Sequence, residues 1–194
     1  MTRKARVVVM VSGRGSNMVS LAEACKAPDF PAQIVAVLSD KRDAGGLAKA
    51  SEMGIANVAV PRADFADKAA HEEAVLQAVE RFDPDVICLA GYMRLLSADF
   101  LAAWQGRIIN IHPSLLPKFK GLDTHARALE AGEKEHGCSV HHVTPGMDEG
   151  PVIDQATVPV LKDDTPESLA ARVLVEEHKL YPRALRTIAK ELEA

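Results

Sequence analysis

Short apolar runs alternating with longer stretches of helical periodicity constrain this chain more than any other feature. The stretch 5–11 holds an unbroken apolar run from Val7 to Val11. A strand with one wet face alternates apolar and polar residues; a parallel strand covered on both faces does not. Similar strand-like segments lie at 33–38, 55–60, 85–90 and 107–111. Between them, Met18, Leu21 and Ala22 mark a helix over 17–26, and 46–53 reads as a short helix ended by Gly54. Ala70, Ala74, Val75, Ala78 and Val79 recur at helical spacing over 67–82. This rhythm predicts an α/β fold: an open, mostly parallel twisted sheet with helices on both faces.

The last third differs. Segments 137–144 and 151–161 are β-type and flank a turn-rich stretch, so the sequence predicts a C-terminal hairpin. A long helix then starts near Thr165-Pro166-Glu167, with a polar cap and an early proline, and runs to about Ile188. Its apolar face is Leu169, Val173, Leu180, Leu185 and Ile188. With 194 residues, no repeat and no linker, one domain over 1–194 is the simplest expectation.

Charge and cysteine usage exclude several classes. Against 23 basic residues stand 27 acidic ones, with no Lys/Arg stripe, so no nucleic-acid partner is expected. No apolar segment approaches the ~20 residues that span a bilayer, and the N-terminal run reads as a strand rather than a secretory signal, so no membrane partner is expected. Cys25, Cys88 and Cys138 form no CxxC pair, and Cys88 sits in an apolar run as a core residue would. A reducing, cytoplasmic setting follows.

Three motifs carry chemistry. Ser12-Gly13-Arg14-Gly15-Ser16-Asn17 joins the first strand to the first helix, where backbone N–H groups and a helix N-terminus favour an anion. It lacks the third glycine of a dinucleotide fingerprint and the Lys-Ser/Thr of a P-loop. A phosphate site, a dinucleotide site using Asp40 and a plain tight turn all remain open at this point. Asn110-Ile111-His112-Pro113 ends the 107–111 strand, and alternation puts Asn110 and His112 on one face. An amide that stabilises an oxyanion beside an imidazole that moves a proton suits acyl transfer, although a structural histidine gives the same pattern. Asp148 lies in the turn-rich Thr144–Pro151 stretch. It either satisfies turn amides or, with the loop folded over His112, favours the imidazolium. His125, His136, His141 and His142 invite a metal reading, but the last two would face opposite ways on a strand and no zinc spacing is present. No metal is expected.

Taken together, these segments resemble the formyltransferases that use 10-formyltetrahydrofolate. Asn110-Ile-His-Pro-Ser-Leu-Leu-Pro117 looks like their shared signature. The Gly13–Asn17 loop, Gly91-Tyr-Met-Arg-Leu-Leu96, the 143–152 loop and Glu176-Glu-His178 match in order and spacing. Methionyl-tRNA formyltransferases carry a further C-terminal domain and formyltetrahydrofolate hydrolases an N-terminal one. The short architecture and Gly121-Leu-Asp-Thr-His125 favour the branch that formylates phosphoribosylglycinamide. The resemblance implies a Rossmann-like formyltransferase fold, with formyl-folate as co-substrate and phosphoribosylglycinamide as acceptor, and it is compatible with a homodimer.

By the same resemblance, Asn110, His112 and Asp148 are catalytic, Gly15, Ser16 and Asn17 bind the substrate phosphate, and Glu177 meets its ribose. The folate lies along Met93, Arg94, Leu95, Leu96, Asn110 and the loop Thr144, Pro145, Gly146, Met147 and Asp148, with Lys68 and Arg94 near its glutamate tail. The chain departs from the family in three places. Lys68 stands where Arg is frequent, Asp123 where some relatives have His, and Glu149 where glycine often follows the loop aspartate. Two rivals remain: formyl transfer to an amino-sugar nucleotide, and a nucleotide-binding module with no transfer.

Overall fold

The computed structural model describes residues 3–192. One seven-stranded sheet runs through them in the order β3-β2-β1-β4-β5-β6-β7. Its parallel part is β1 (Ala5–Val11), β2 (Ala32–Ser39), β3 (Asn57–Ala59), β4 (Val86–Leu89) and β5 (Ile108–His112). The unbroken apolar run of β1 is explained by its position at the centre. Val7, Val9 and Val11 face one core, Val8 and Met10 the other, and all five are fully buried. Each such side chain contributes about 1.5–3 kcal/mol of burial free energy.

Helices cover both faces, as the sequence predicts. On one side α1 (Ser16–Cys25), α2 (Gly45–Glu52) and α6 (Pro166–Glu191) pack on the odd-numbered residues of β1. On the other side α3 (Lys68–Glu80) and α4 (Ala98–Ala103) pack on the even-numbered ones. The chain winds outward from β1 through β2 to β3, then crosses back to β4 and β5. The strand order therefore reverses between β1 and β4, and ligands of open α/β sheets bind beside such a switch point at the carboxyl ends of the strands.

β6 (Glu135–His142) and β7 (Val152–Pro159) form the expected hairpin, and β6 is also antiparallel to β5. Helix α6 starts with a reciprocal Thr165–Ser168 capping box and Pro166 in its first turn, and it reaches Glu191, past the expected end. All five residues of its expected apolar face are buried. Tyr181 on this helix is also fully buried, and its hydroxyl lies 2.9 Å from Leu89 O and 3.2 Å from Ile109 O. Three elements were not expected from the sequence: α4, α5 (Thr124–Glu130) and a 3-10 turn at Arg62–Asp64.

Candidate active site

The Gly-rich loop leaves β1 and turns into α1 through Gly15 at φ 73°, in the left-handed region. A Cβ on Gly15 would stand 2.5 Å from Gly46 Cα, so only glycine lets α1 and α2 start this close together. Among the described residues no side chain caps α1, which leaves its first-turn N–H groups free for an anion. Asn17 and Glu177, distant in sequence, meet here: Asn17 Nδ2 donates to Glu177 Oε2 at 2.7 Å.

Glu177 is buried, and burial raises its carboxyl pKa while the Asn17 bond partly offsets the rise. A carboxyl whose pKa is higher folded than unfolded loses stability as pH climbs past the ordinary carboxylate range, because ionisation is penalised only in the fold. Glu177→Gln is therefore expected to stabilise the unliganded protein at neutral pH but not in acid. Denaturant titrations on both sides of that range check this, and an advantage that ignores pH would refute it.

Asp40 is not free to read a ribose as a dinucleotide site requires. Its buried carboxylate accepts from Ser12 Oγ at 2.5 Å and pairs with Arg94 Nε at 2.7 Å. Ser12 Oγ in turn accepts from Met93 N at 2.8 Å. The loop after β1 is thus tied to the segment after β4.

His112 is the last residue of β5, and Asn110 precedes it on the same face, as alternation predicts. The following turn is pinned by Ser139 of β6, whose hydroxyl donates to Ser114 O at 2.7 Å and accepts from Leu116 N at 3.0 Å. The imidazole lies between two loops. Nε2 is 3.0 Å from Phe119 O, and Nδ1 is 3.4 Å from Asp148 Oδ2. Asp148 is oriented by Gly121, whose N–H donates to Oδ2 at 2.9 Å. Phe119, Asp123 and Asp148 all have positive φ, three of the four such non-glycine residues described. Phe119 and Asp148 are the two that flank the imidazole, and backbone held in this sparsely populated region at such a place is typical of pre-organised sites.

The structure also brings in a residue that the sequence reading left among its unassigned histidines. His141 stands opposite Asn110 in the β5–β6 register, with Nε2 3.2 Å from Asn110 Nδ2 and 3.6 Å from Asp148 Oδ1. The signal was present in β6, where Ser139 and His141 alternate with the core residues Cys138 and Val140. His125 and His136 form a separate edge-to-face pair 5.2 Å apart, and burial pushes the His136 imidazole down to about 4.

Two adjoining clefts of about 340 and 270 Å³ share Lys68, Tyr92, Arg94, Leu95 and Leu96. The larger is bounded by Asn110, His141 and the loop Thr144, Pro145, Gly146, Met147 and Asp148; Met93 lines the smaller. Met93 and Leu95 are 64% and 65% exposed, so neither is a core residue. Leu96 packs against the second core. The Glu149 departure makes a new link, an ion pair with Lys120 at 3.1 Å between the two loops around His112.

A sequence model of the formyl transferase family matches residues 5–185. Phosphoribosylglycinamide formyltransferase of Escherichia coli (strain K12) is 44% identical over 183 residues, which cover 94% of this chain and 86% of that protein. The crystal structure of phosphoribosylglycinamide formyltransferase from Brucella melitensis superposes with a TM-score of 0.93 at 61% identity, covering 96% of each chain. The trifunctional purine biosynthetic protein adenosine-3 of Homo sapiens is 42% identical over 96% of this chain, a stretch that makes up 18% of that longer protein. Sequence and structure agree from the Gly-rich loop through the last helix, and the chain belongs to the formyl transferase family, alongside its phosphoribosylglycinamide formyltransferases.

Proposed function

We propose that this chain, as one formyltransferase domain in the cytoplasm, transfers the formyl group of 10-formyltetrahydrofolate to the amine of 5'-phosphoribosylglycinamide. The products are formylglycinamide ribonucleotide and tetrahydrofolate. One observation carries this reading: His112, Asp148 and the Asn110 amide converge at the edge of the larger cleft. A free helix N-terminus lies at the end of β1, two strands away, or roughly 10 Å at normal strand spacing. That interval suits an acceptor with its phosphate at one end and its amine at the other.

The phosphate sits on the N–H groups of Gly15, Ser16 and Asn17, with Glu177 accepting from ribose hydroxyls. The cleft walls fit a long flat donor, because Met93 and Leu95 expose apolar surface that such a ligand would cover. Lys68 makes no ion pair among the described residues and faces a tail carboxylate. Arg94 lines both clefts, and with its Nε committed to Asp40 its two amino groups are left for a tail carboxylate.

In the reaction the amine lone pair attacks the formyl carbon and the carbonyl oxygen becomes an oxyanion. Asn110 donates to that oxygen, and such a donor is worth about 100- to 1,000-fold in rate. With its Nε2 hydrogen directed at Phe119 O, His112 takes at Nδ1 the proton lost by the attacking nitrogen and returns one to the departing folate nitrogen as the intermediate collapses. Asp148 stabilises the charge on His112 between these steps. The test is transfer from 10-formyltetrahydrofolate to phosphoribosylglycinamide or to an amino-sugar nucleotide, followed by folate absorbance. Turnover with the amino-sugar nucleotide alone would overturn the acceptor. Ligand binding with no transfer, indifferent to His112→Ala, would overturn the reaction.

A further inference from the structure

The Asn110 amide can face the reacting carbonyl with either its nitrogen or its oxygen, and only the nitrogen stabilises an oxyanion. Something must therefore fix its orientation. His141 is directly opposite Asn110 on the neighbouring antiparallel strand, with its side chain only 3% exposed. Its Nδ1 lies 2.8 Å from His142 O, and a carbonyl oxygen only accepts. Nδ1 therefore carries a hydrogen, and in the neutral ring Nε2 is left with a lone pair. That lone pair is 3.2 Å from the Asn110 side-chain amide.

We propose that His141 is a positioning residue for formyl transfer: its unprotonated Nε2 accepts one N–H of Asn110 and so turns the second N–H towards the formyl oxygen. The opposite amide orientation would place two lone pairs against each other and aim Asn110 Oδ1 at the developing negative charge.

The surroundings of His141 favour its neutral form. Burial is the largest influence and lowers its pKa, opposed by the His142 carbonyl and by Asp148, with His112 and His142 adding to the lowering. Asp148 Oδ1, at 3.6 Å, is too far to hydrogen-bond to Nε2 in competition with the amide.

This assignment deepens the proposed function and rests on it, so two measurements keep them separable. The first compares steady-state transfer by wild type, His141→Phe and His141→Gln. Phe keeps the ring's bulk without an acceptor; the Gln carbonyl stands close to where Nε2 was. The Phe variant is expected to lose about 10- to 100-fold in kcat, up to the scale of one oxyanion donor. Its KM for both substrates should stay within about threefold, the pattern of an interaction made only in the transition state. The Gln variant is expected to recover most of the lost rate. Near-normal kcat in Phe, or equal losses in Phe and Gln, would overturn the assignment.

The second measurement is ¹⁵N NMR of the His141 ring in the wild-type protein, which needs neither turnover nor a stable variant. A protonated Nδ1 with a bare Nε2 is expected. A protonated Nε2 would sink the proposal even for an active formyltransferase. A wild type that transfers nothing would sink the functional reading, while the NMR result still judged the ring's tautomer.

Discussion

Asp148→Asn is expected to lower the rate of the chemical step about a thousandfold while leaving the binding of both substrates nearly unchanged. The magnitude is the middle of the range for losing acid–base assistance in a positioned pair. Asn is the informative replacement because it tolerates the left-handed backbone almost as readily as Asp, and residue 148 sits at φ 52°. The loop should therefore keep its shape. What is lost is the charge facing His112 Nδ1; the Asn carbonyl oxygen can still accept from Gly121 N. The half-exposed Lys120–Glu149 pair survives in the variant but adds little, since exposed ion pairs contribute about 0–1 kcal/mol. Single-turnover mixing separates binding from chemistry. A variant within tenfold of wild type would remove Asp148 from the mechanism.

Gly15→Ala is expected to act on the other half of the site. Two penalties combine: the left-handed backbone costs a non-glycine residue about 1–2 kcal/mol, and the new methyl meets Gly46 Cα at 2.5 Å. Relief requires moving the start of α1 away from α2 and breaking the Gly46 N to Gly13 O bond of 2.9 Å. The first-turn N–H groups then no longer converge. Affinity for phosphoribosylglycinamide should fall about 100-fold, equivalent to roughly 2.7 kcal/mol, with folate affinity little changed and the melting temperature lowered. Gly13→Ala is the matched control, because a Cβ there meets nothing within 4 Å. Calorimetric titration reads both affinities. Equal effects at the two glycines would mean that loop flexibility, rather than the approach of α1 to α2, is what matters.

Where periodicity was long and unbroken, the sequence was a sufficient guide. β1 has the expected bounds, and α6 differs only in running a little further. The helices it did not reveal are too short to show a period: α4 has six residues, and α5 has seven and is entered through Asp123 at positive φ without a side-chain cap. Asn110 and His112 could be placed on one face by alternation within a single strand. Their meeting with Asp148 and His141 could not, because it depends on the β5–β6 register and on the path of a hairpin loop. Both are tertiary facts without local spacing. His141 illustrates the gap. The clustering of histidines in that stretch suggests a metal ligand, whereas its partner is an amide across the sheet.

Tyr181 lies one turn beyond Glu177 on α6, and its phenol reaches Ile109 O, one residue before Asn110. The helix that carries Glu177 is thus bolted to the strand that carries Asn110 and His112. In the proposed reaction, the gap that the nucleophile crosses is consequently set by how the interior packs. Loosening of that interior, by heat or by a cavity beneath the ring, should silence turnover while the outer contour of the molecule is still intact.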